Sequence, residues 1–282
     1  MELVSSSDVF LTSIPPEAQA GITVTPSQEI IPPQTIPIST PQAPKVSDSR
    51  NTIKNKTPES EQPIEKENKT NELSDKPQKA LPEGFVLLSE ALPEARFDVR
   101  YATDHNFTGK IVDGYLSDHI SITIKAAEAV QKASAALKKK GYGLLIFDAY
   151  RPKRAVDSFT QWGKSPEDNL TKDEFYPDIK KKDLFELGYL ARRSAHSRGS
   201  AIDLTLIVLK TGELVDMGSP YDFLGSISNH GTKLISDTQT NNRNILKEAM
   251  KAAGFKEIRT EWWHYQLVNE PFPDTYFDFV IE

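Results

Sequence analysis

The sequence predicts an α+β domain with a central antiparallel sheet flanked by helices, preceded by a disordered N-terminal arm. Three observations carry this expectation. Residues 1–80 hold 11 of the 19 prolines but only one of the 25 aromatics, Phe10. A stretch so poor in aromatics cannot bury enough apolar surface to offset its ordering entropy, which places an arm at 1–80 and a domain at 81–282. That domain is long enough to bury a full core as one unit. It mixes short apolar runs with three helical periods and shows no regular strand–helix alternation, the pattern of an α+β fold rather than a doubly wound one.

In chain order, residues 25–80 alternate Pro, Ser, Thr, Glu and Lys with isolated Ile, and IPPQTIPIST leans towards polyproline conformations, as in a spacer. Residues 95–115 read as strand-like pieces joined by a Thr-Gly and an Asp-Gly turn. A helix is expected over 118–140, with Asp118 as N-cap and Ala126, Ala127, Val130 and Leu137 on one face. Its basic last turn suits the helix dipole, and Gly141 stops it. GLLIFDAY, 143–150, reads as a buried strand, and Pro152 opens a helix carrying Ala155, Val156, Phe159 and Trp162. Residues 165–193 look polar and irregular. A strand over 201–209, a helix over 241–253 and a last strand over 256–268 complete the domain.

Composition excludes several functions. The net charge of −6 divides evenly between arm and domain, so neither part suggests nucleic acid or an anionic membrane as partner. The absence of cysteine removes disulfides and thiolate metal sites. No apolar run approaches the roughly 18 residues of a membrane span. Residues 1–20 lack a basic n-region and make a poor secretory signal. The expected location is the cytoplasm; the alternative is the periplasm or cell envelope, because the arm resembles spacers of exported envelope proteins.

The chemistry concentrates in two stretches. One runs from Ser194 through His196 to Asp203, and the other is Glu261-Trp262-Trp263-His264. Two imidazoles and a carboxylate suit zinc and leave a fourth position for water, as catalytic sites do. Glu261 is placed to take a proton from that water. Residues three apart on a regular strand face opposite ways, so Glu261 and His264 can share a site only through a bulge or turn. His105, His119 and His230 read as ordinary surface or core histidines. Neither H-x₆-D nor E-x-x-H is specific alone, and these residues by themselves leave a zinc site and ordinary core histidines both open.

NFTGK (106–110), VDGY (112–115), GYGLL (141–145), YRPKRAV (150–156), SRGSAIDLTL (197–206), TGELV (211–215), EWWHY (261–265) and YFDF (276–279) resemble the zinc D-Ala-D-Ala dipeptidase family. The resemblance runs in one register from about residue 85 to the end. It implies one zinc per chain held by His196, Asp203 and His264, with Glu261 as general base and Arg151 stabilising the oxyanion. The other reading of Arg151 is a surface ion pair near Asp148. Asp222 would meet the free ammonium of the dipeptide, while Ser194, Tyr101 and Tyr115 would line its pocket. The implied activity is hydrolysis of D-alanyl-D-alanine, in removal of peptidoglycan precursors or recycling of D-alanine, and a homo-oligomer is permitted. Ala195 stands where relatives often carry a serine, and residues 1–80 have no counterpart. Two alternatives remain: a zinc D,D-carboxypeptidase acting on longer wall peptides, and a non-catalytic zinc-binding module.

Overall fold

A computed structural model describes residues 80–282. The arm expected at 1–80 lies, Ala80 apart, outside the described residues. The elements in order are β1 (Phe85–Leu87), α1 (Leu88–Ala91), β2 (Arg96–Phe97), β3 (Ser121–Thr123), α2 (Ile124–Lys138), β4 (Tyr142–Asp148), α3 (Lys153–Lys164), α4 (Lys172–Phe175), β5 (Ala201–Val208), α5 (Asp237–Ala252), β6 (Phe255–Ile258) and β7 (Glu261–Leu267). Five strands form the central sheet in the order β2-β4-β5-β7-β6, while β1 and β3 pair in a small sheet of their own. The central sheet is antiparallel except at one edge, where β2 runs parallel to β4.

β4 and β5 are apolar almost throughout, as strands covered on both faces must be. Helices α2 and α5 pack on each other, α2 also on β4 and α5 on β6 and β7. The helix α2 turns its small residues inward: Ala126, Ala127, Val130 and Ala133 are buried, with Leu137 at the end.

Several elements depart from the sequence-based expectation. The helix expected from Asp118 starts at Ile124, because Ser121-Ile122-Thr123 pairs with β1 instead. The helix expected from Asn241 starts four residues earlier, at Asp237. There Ser236 and Gln239 form a reciprocal capping box that satisfies the orphan backbone donors. The strand-like reading of 95–115 survives, as an isolated bridge to Ile281, at Tyr115 and, as a strand, at Arg96–Phe97. The following loop is tied by the Asn106 amide, which donates to the carbonyls of Thr103 and Lys110 at 2.8 and 2.9 Å. The single strand expected over 256–268 is a hairpin, β6 and β7, turning at Arg259-Thr260.

That hairpin also carries a shift in register between Glu261 and His264. Phe255, Lys256 and Glu257 pair with Leu267, Gln266 and Tyr265, but the next pair is Ile258 with Glu261. Trp262, Trp263 and His264 are therefore extra residues on β7. Trp262 to Tyr265 are all buried, so this stretch does not alternate between a buried and an exposed face as a half-covered regular strand does.

Candidate active site

The register of three neighbouring strands assembles the centre. Asp148 on β4 stands opposite Asp203 on β5, and Asp203 stands opposite His264 on β7. Residues 55 and 61 positions apart in sequence thus become lateral neighbours (148 to 203, then 203 to 264). His196 arrives from a 3-10 turn, Ala195–Arg198, immediately before β5. The Ser194 hydroxyl caps that turn by accepting from the His196 amide at 3.2 Å. Gly199 ends it with φ +73°, and a Cβ there would lie 2.3 Å from the Phe85 ring. This explains the glycine in Ser-Arg-Gly-Ser: the close approach of β1 leaves no room for a side chain.

His196, Asp203 and His264 are all buried, and their ligand atoms lie within 4.8 Å of one another. His264 Nδ1 lies 3.0 Å from both Asp203 Oδ1 and His196 Nε2, and His196 Nε2 lies 3.3 Å from Asp203 Oδ1. His196 Nδ1 lies 2.6 Å from the carbonyl of Ala149. Only a protonated Nδ1 can make that contact, so in the neutral ring the lone pair sits on Nε2 and faces the cluster. Two nitrogens and one carboxylate oxygen converging in this way fit a divalent metal that accepts N and O ligands. Burial opposes ionisation of Asp203, but the two imidazoles outweigh it and hold the carboxyl well below the usual range.

A cavity of about 210 Å³ opens over this cluster. Pockets for drug-sized ligands are usually about 300–1,000 Å³, so this one suits a smaller molecule. Its walls include Tyr101, Arg151, Ser194, Asp222 and Glu261 together with all three candidate ligands. Glu261, at the start of β7, is only partly buried. Burial first, and then the charge of Asp203, push its carboxyl up to about 8. No hydrogen bond engages its side chain among the described residues, so its oxygens are free to exchange a proton.

Arg151 follows the end of β4. Its Nε and Nη2 both lie 2.8 Å from Asp148 Oδ2, and its guanidinium sits 5.0 Å from the Tyr101 ring centre and 5.2 Å from that of Phe159. The ion pair considered for Arg151 therefore exists, but in the interior: Asp148 is 1% exposed. Asp222 lies in the loop after Met217, with φ +60°, a left-handed conformation that Asp tolerates better than most residues. It is buried and accepts from Tyr101 Oη at 2.8 Å. Burial first, and then the charge of Asp203, raise its pKa well above the carboxylate range.

Tyr115 is placed differently from the other expected pocket residues. It does not line the cavity; its hydroxyl donates to Asp148 Oδ1 at 2.7 Å, one layer behind Arg151. Sequence reasoning missed Asp148, the Ala149 carbonyl and Tyr221 as parts of this site. The Tyr221 hydroxyl lies 3.4 Å from Asp203 Oδ2, and its ring stacks on Phe147. The available signal was the acid closing an otherwise apolar strand, since an unpaired carboxylate there would be costly.

A buried His/Asp/His cluster with an unengaged glutamate and a fixed guanidinium around a small cavity is an arrangement that suits a metal-assisted hydrolase. Residues 82–282 match the family model of the M15 peptidases, described as D-Ala-D-Ala dipeptidase, and the chain belongs to that family. It is similar to the D-alanyl-D-alanine dipeptidase of Enterococcus faecalis, with 50% identity over 198 residues that cover 70% of this chain and 98% of that one. The enzyme of the same name from Enterococcus faecium is 49% identical over 199 residues, 71% of this chain and 98% of its own. That of Streptomyces coelicolor is 46% identical over 197 residues, again 98% of its length. Among the described residues, no helix is long and apolar enough to cross a membrane.

Proposed function

We propose that this protein hydrolyses D-alanyl-D-alanine to two molecules of D-alanine, with zinc held by His196, Asp203 and His264. The observation that carries the reading is the opening of one small cavity onto the three ligand atoms, Glu261, Arg151 and Asp222 together. Zinc bound there supplies Lewis acidity towards the scissile carbonyl and lowers the pKa of water towards about 7. Glu261 accepts a proton from the attacking water and returns it to the leaving amine nitrogen. Burial raises the Glu261 carboxyl above the ordinary range, so it holds a proton more readily than an exposed glutamate does. Arg151 offers its charge to the developing oxyanion, an interaction stronger in the transition state than in the ground state.

Asp222 meets the ammonium group of the substrate. A buried acid whose pKa is raised by desolvation is a poor carboxylate on its own and regains its charge when a cation arrives. Tyr101 keeps it oriented, and Ser194 stands in the wall beside His196. The ammonium contact sets the substrate length: a chain extended at its N-terminus has no ammonium at that point. It thereby separates this reading from a carboxypeptidase acting on longer wall peptides. The test compares D-Ala-D-Ala with N-acetyl-D-Ala-D-Ala and with L-Ala-L-Ala as substrates of the purified full chain. The free D,D-dipeptide should be cleaved at least about 10²-fold more efficiently than the acetylated one, as expected when a buried charge loses its partner. Equal cleavage of both would favour the carboxypeptidase.

A further inference from the structure

Asp148 is an almost fully enclosed acid that neither lines the cavity nor belongs to the candidate ligand set. Both its oxygens are committed. Oδ2 receives the Nε and Nη2 groups of Arg151, each at 2.8 Å, and Oδ1 receives the Tyr115 hydroxyl at 2.7 Å. Tyr115 is itself buried, so the carboxylate cannot rotate away from the arginine. A shift in register between Ile146 and Asp148 sets this end of β4 beside Asp203. The guanidinium consequently lies between two acids, and they hold it unequally: Nη2 is 2.8 Å from Asp148 and 3.4 Å from Asp203 Oδ2.

We infer that Asp148 is the positioning residue for Arg151, holding the guanidinium at the cavity wall and keeping it from closing onto Asp203. This rests on the oxyanion role given to Arg151 above. Without Asp148 the nearest anion to Arg151 is Asp203. An arginine seated fully there leaves the substrate carbonyl unattended and occupies a carboxylate that the metal needs. Asp148 thus serves turnover and metal retention while touching neither substrate nor metal, its Oδ2 lying 3.5 Å from His196 Nδ1 as well as against Arg151.

The experiment uses the full-length protein and the variants Asp148→Asn, Tyr115→Phe, Arg151→Ala and the double variant Asp148→Asn/Arg151→Ala. Each is assayed for steady-state release of D-alanine and, separately, for zinc affinity by competition with a chromophoric chelator. Asp148→Asn should lower kcat by about 10²–10³, as loss of the oxyanion donor itself does, with KM changed less than about 3-fold. It should weaken zinc by about 10-fold, the lower end for a lost outer contact. Tyr115→Phe, which leaves the ion pair intact, should lower kcat by about 3- to 10-fold, the scale of one hydrogen bond. In the Arg151→Ala background, adding Asp148→Asn should cost less than about 3-fold more, because the group it positions is already gone.

Wild-type turnover in Asp148→Asn overturns the inference, and so do Asp148→Asn and Arg151→Ala losses that multiply. If Asp148→Asn fails to fold, Tyr115→Phe decides: unchanged kcat overturns the inference, and reduced kcat with a native circular dichroism spectrum supports it. Near-wild-type activity in Arg151→Ala strikes instead at the role given to that arginine, and the inference falls with it.

Discussion

Replacing Asp222 by Asn isolates its charge at the cavity wall. Asparagine has the same shape and keeps an oxygen to accept the 2.8 Å hydrogen bond from Tyr101, so the fold and the cavity are preserved. Only the negative charge opposite the ammonium group is lost. Truncating one member of a buried charge pair costs about 2–5 kcal/mol. Here the low end applies, because burial and the neighbouring Asp203 raise the pKa of Asp222, and part of the pairing energy goes into ionising it. A cost of about 2–3 kcal/mol corresponds to a loss of about 30- to 150-fold in kcat/KM. The contact exists already in the bound ground state, so the loss should appear mainly in KM. Release of D-alanine, followed by coupled oxidation across a range of dipeptide concentrations, gives both constants. A variant within 3-fold of wild type, or one whose loss lies wholly in kcat, would refute the assignment of Asp222 to the ammonium.

Glu261→Gln should retain stoichiometric metal and lose about 10²–10⁴ in kcat, the usual worth of a general acid–base group; metal analysis alongside turnover checks both, and substantial residual activity would remove Glu261 as the base. His230 offers a test away from the site. Burial first, and then the charges of Lys247 and Arg243, pull its pKa down to about 4 from an ordinary value of 6.5. The folded state therefore resists a proton that the unfolded chain accepts, and the associated stability is present above about pH 6.5 and lost as the pH falls towards 4. Urea unfolding of wild type and His230→Gln should show the wild-type advantage shrinking by about 2 kcal/mol between pH 7 and 4.5, from 1.36 kcal/mol per unit of pKa difference. Parallel profiles would contradict it.

The parts of the fold legible in the sequence were those governed by local periodicity and strong punctuation. β4, β5 and the helix after Pro152 lie where their apolar patterns put them, within a residue or two. The errors fell where tertiary pairing overrode local preference. Ser121-Ile122-Thr123 could continue a helix but joins β1, and the segment after Phe97 gives up strand pairing for side-chain ties through Asn106. The spacing of His196, Asp203 and His264 left their role open, and only the resemblance named them together as the structure groups them; the strand rule made the need for an irregularity near Glu261 readable, yet its position was not. Three extra residues on β7 become visible only once the partner strand is known. The layer behind the cavity was the least legible. A carboxylate at the end of an apolar strand and a tyrosine just after an Asp-Gly turn carry no spacing signal that links them, because register and loop packing bring Asp148 and Tyr115 together across 33 residues.

The most direct measurement is D-alanine release from D-Ala-D-Ala by the purified protein as isolated, after treatment with a zinc chelator, and after zinc is restored. The account predicts release that the chelator abolishes and zinc recovers, with L-Ala-L-Ala left uncleaved. A zinc-loaded, folded protein that releases no D-alanine, or one whose turnover is indifferent to chelation, would contradict it.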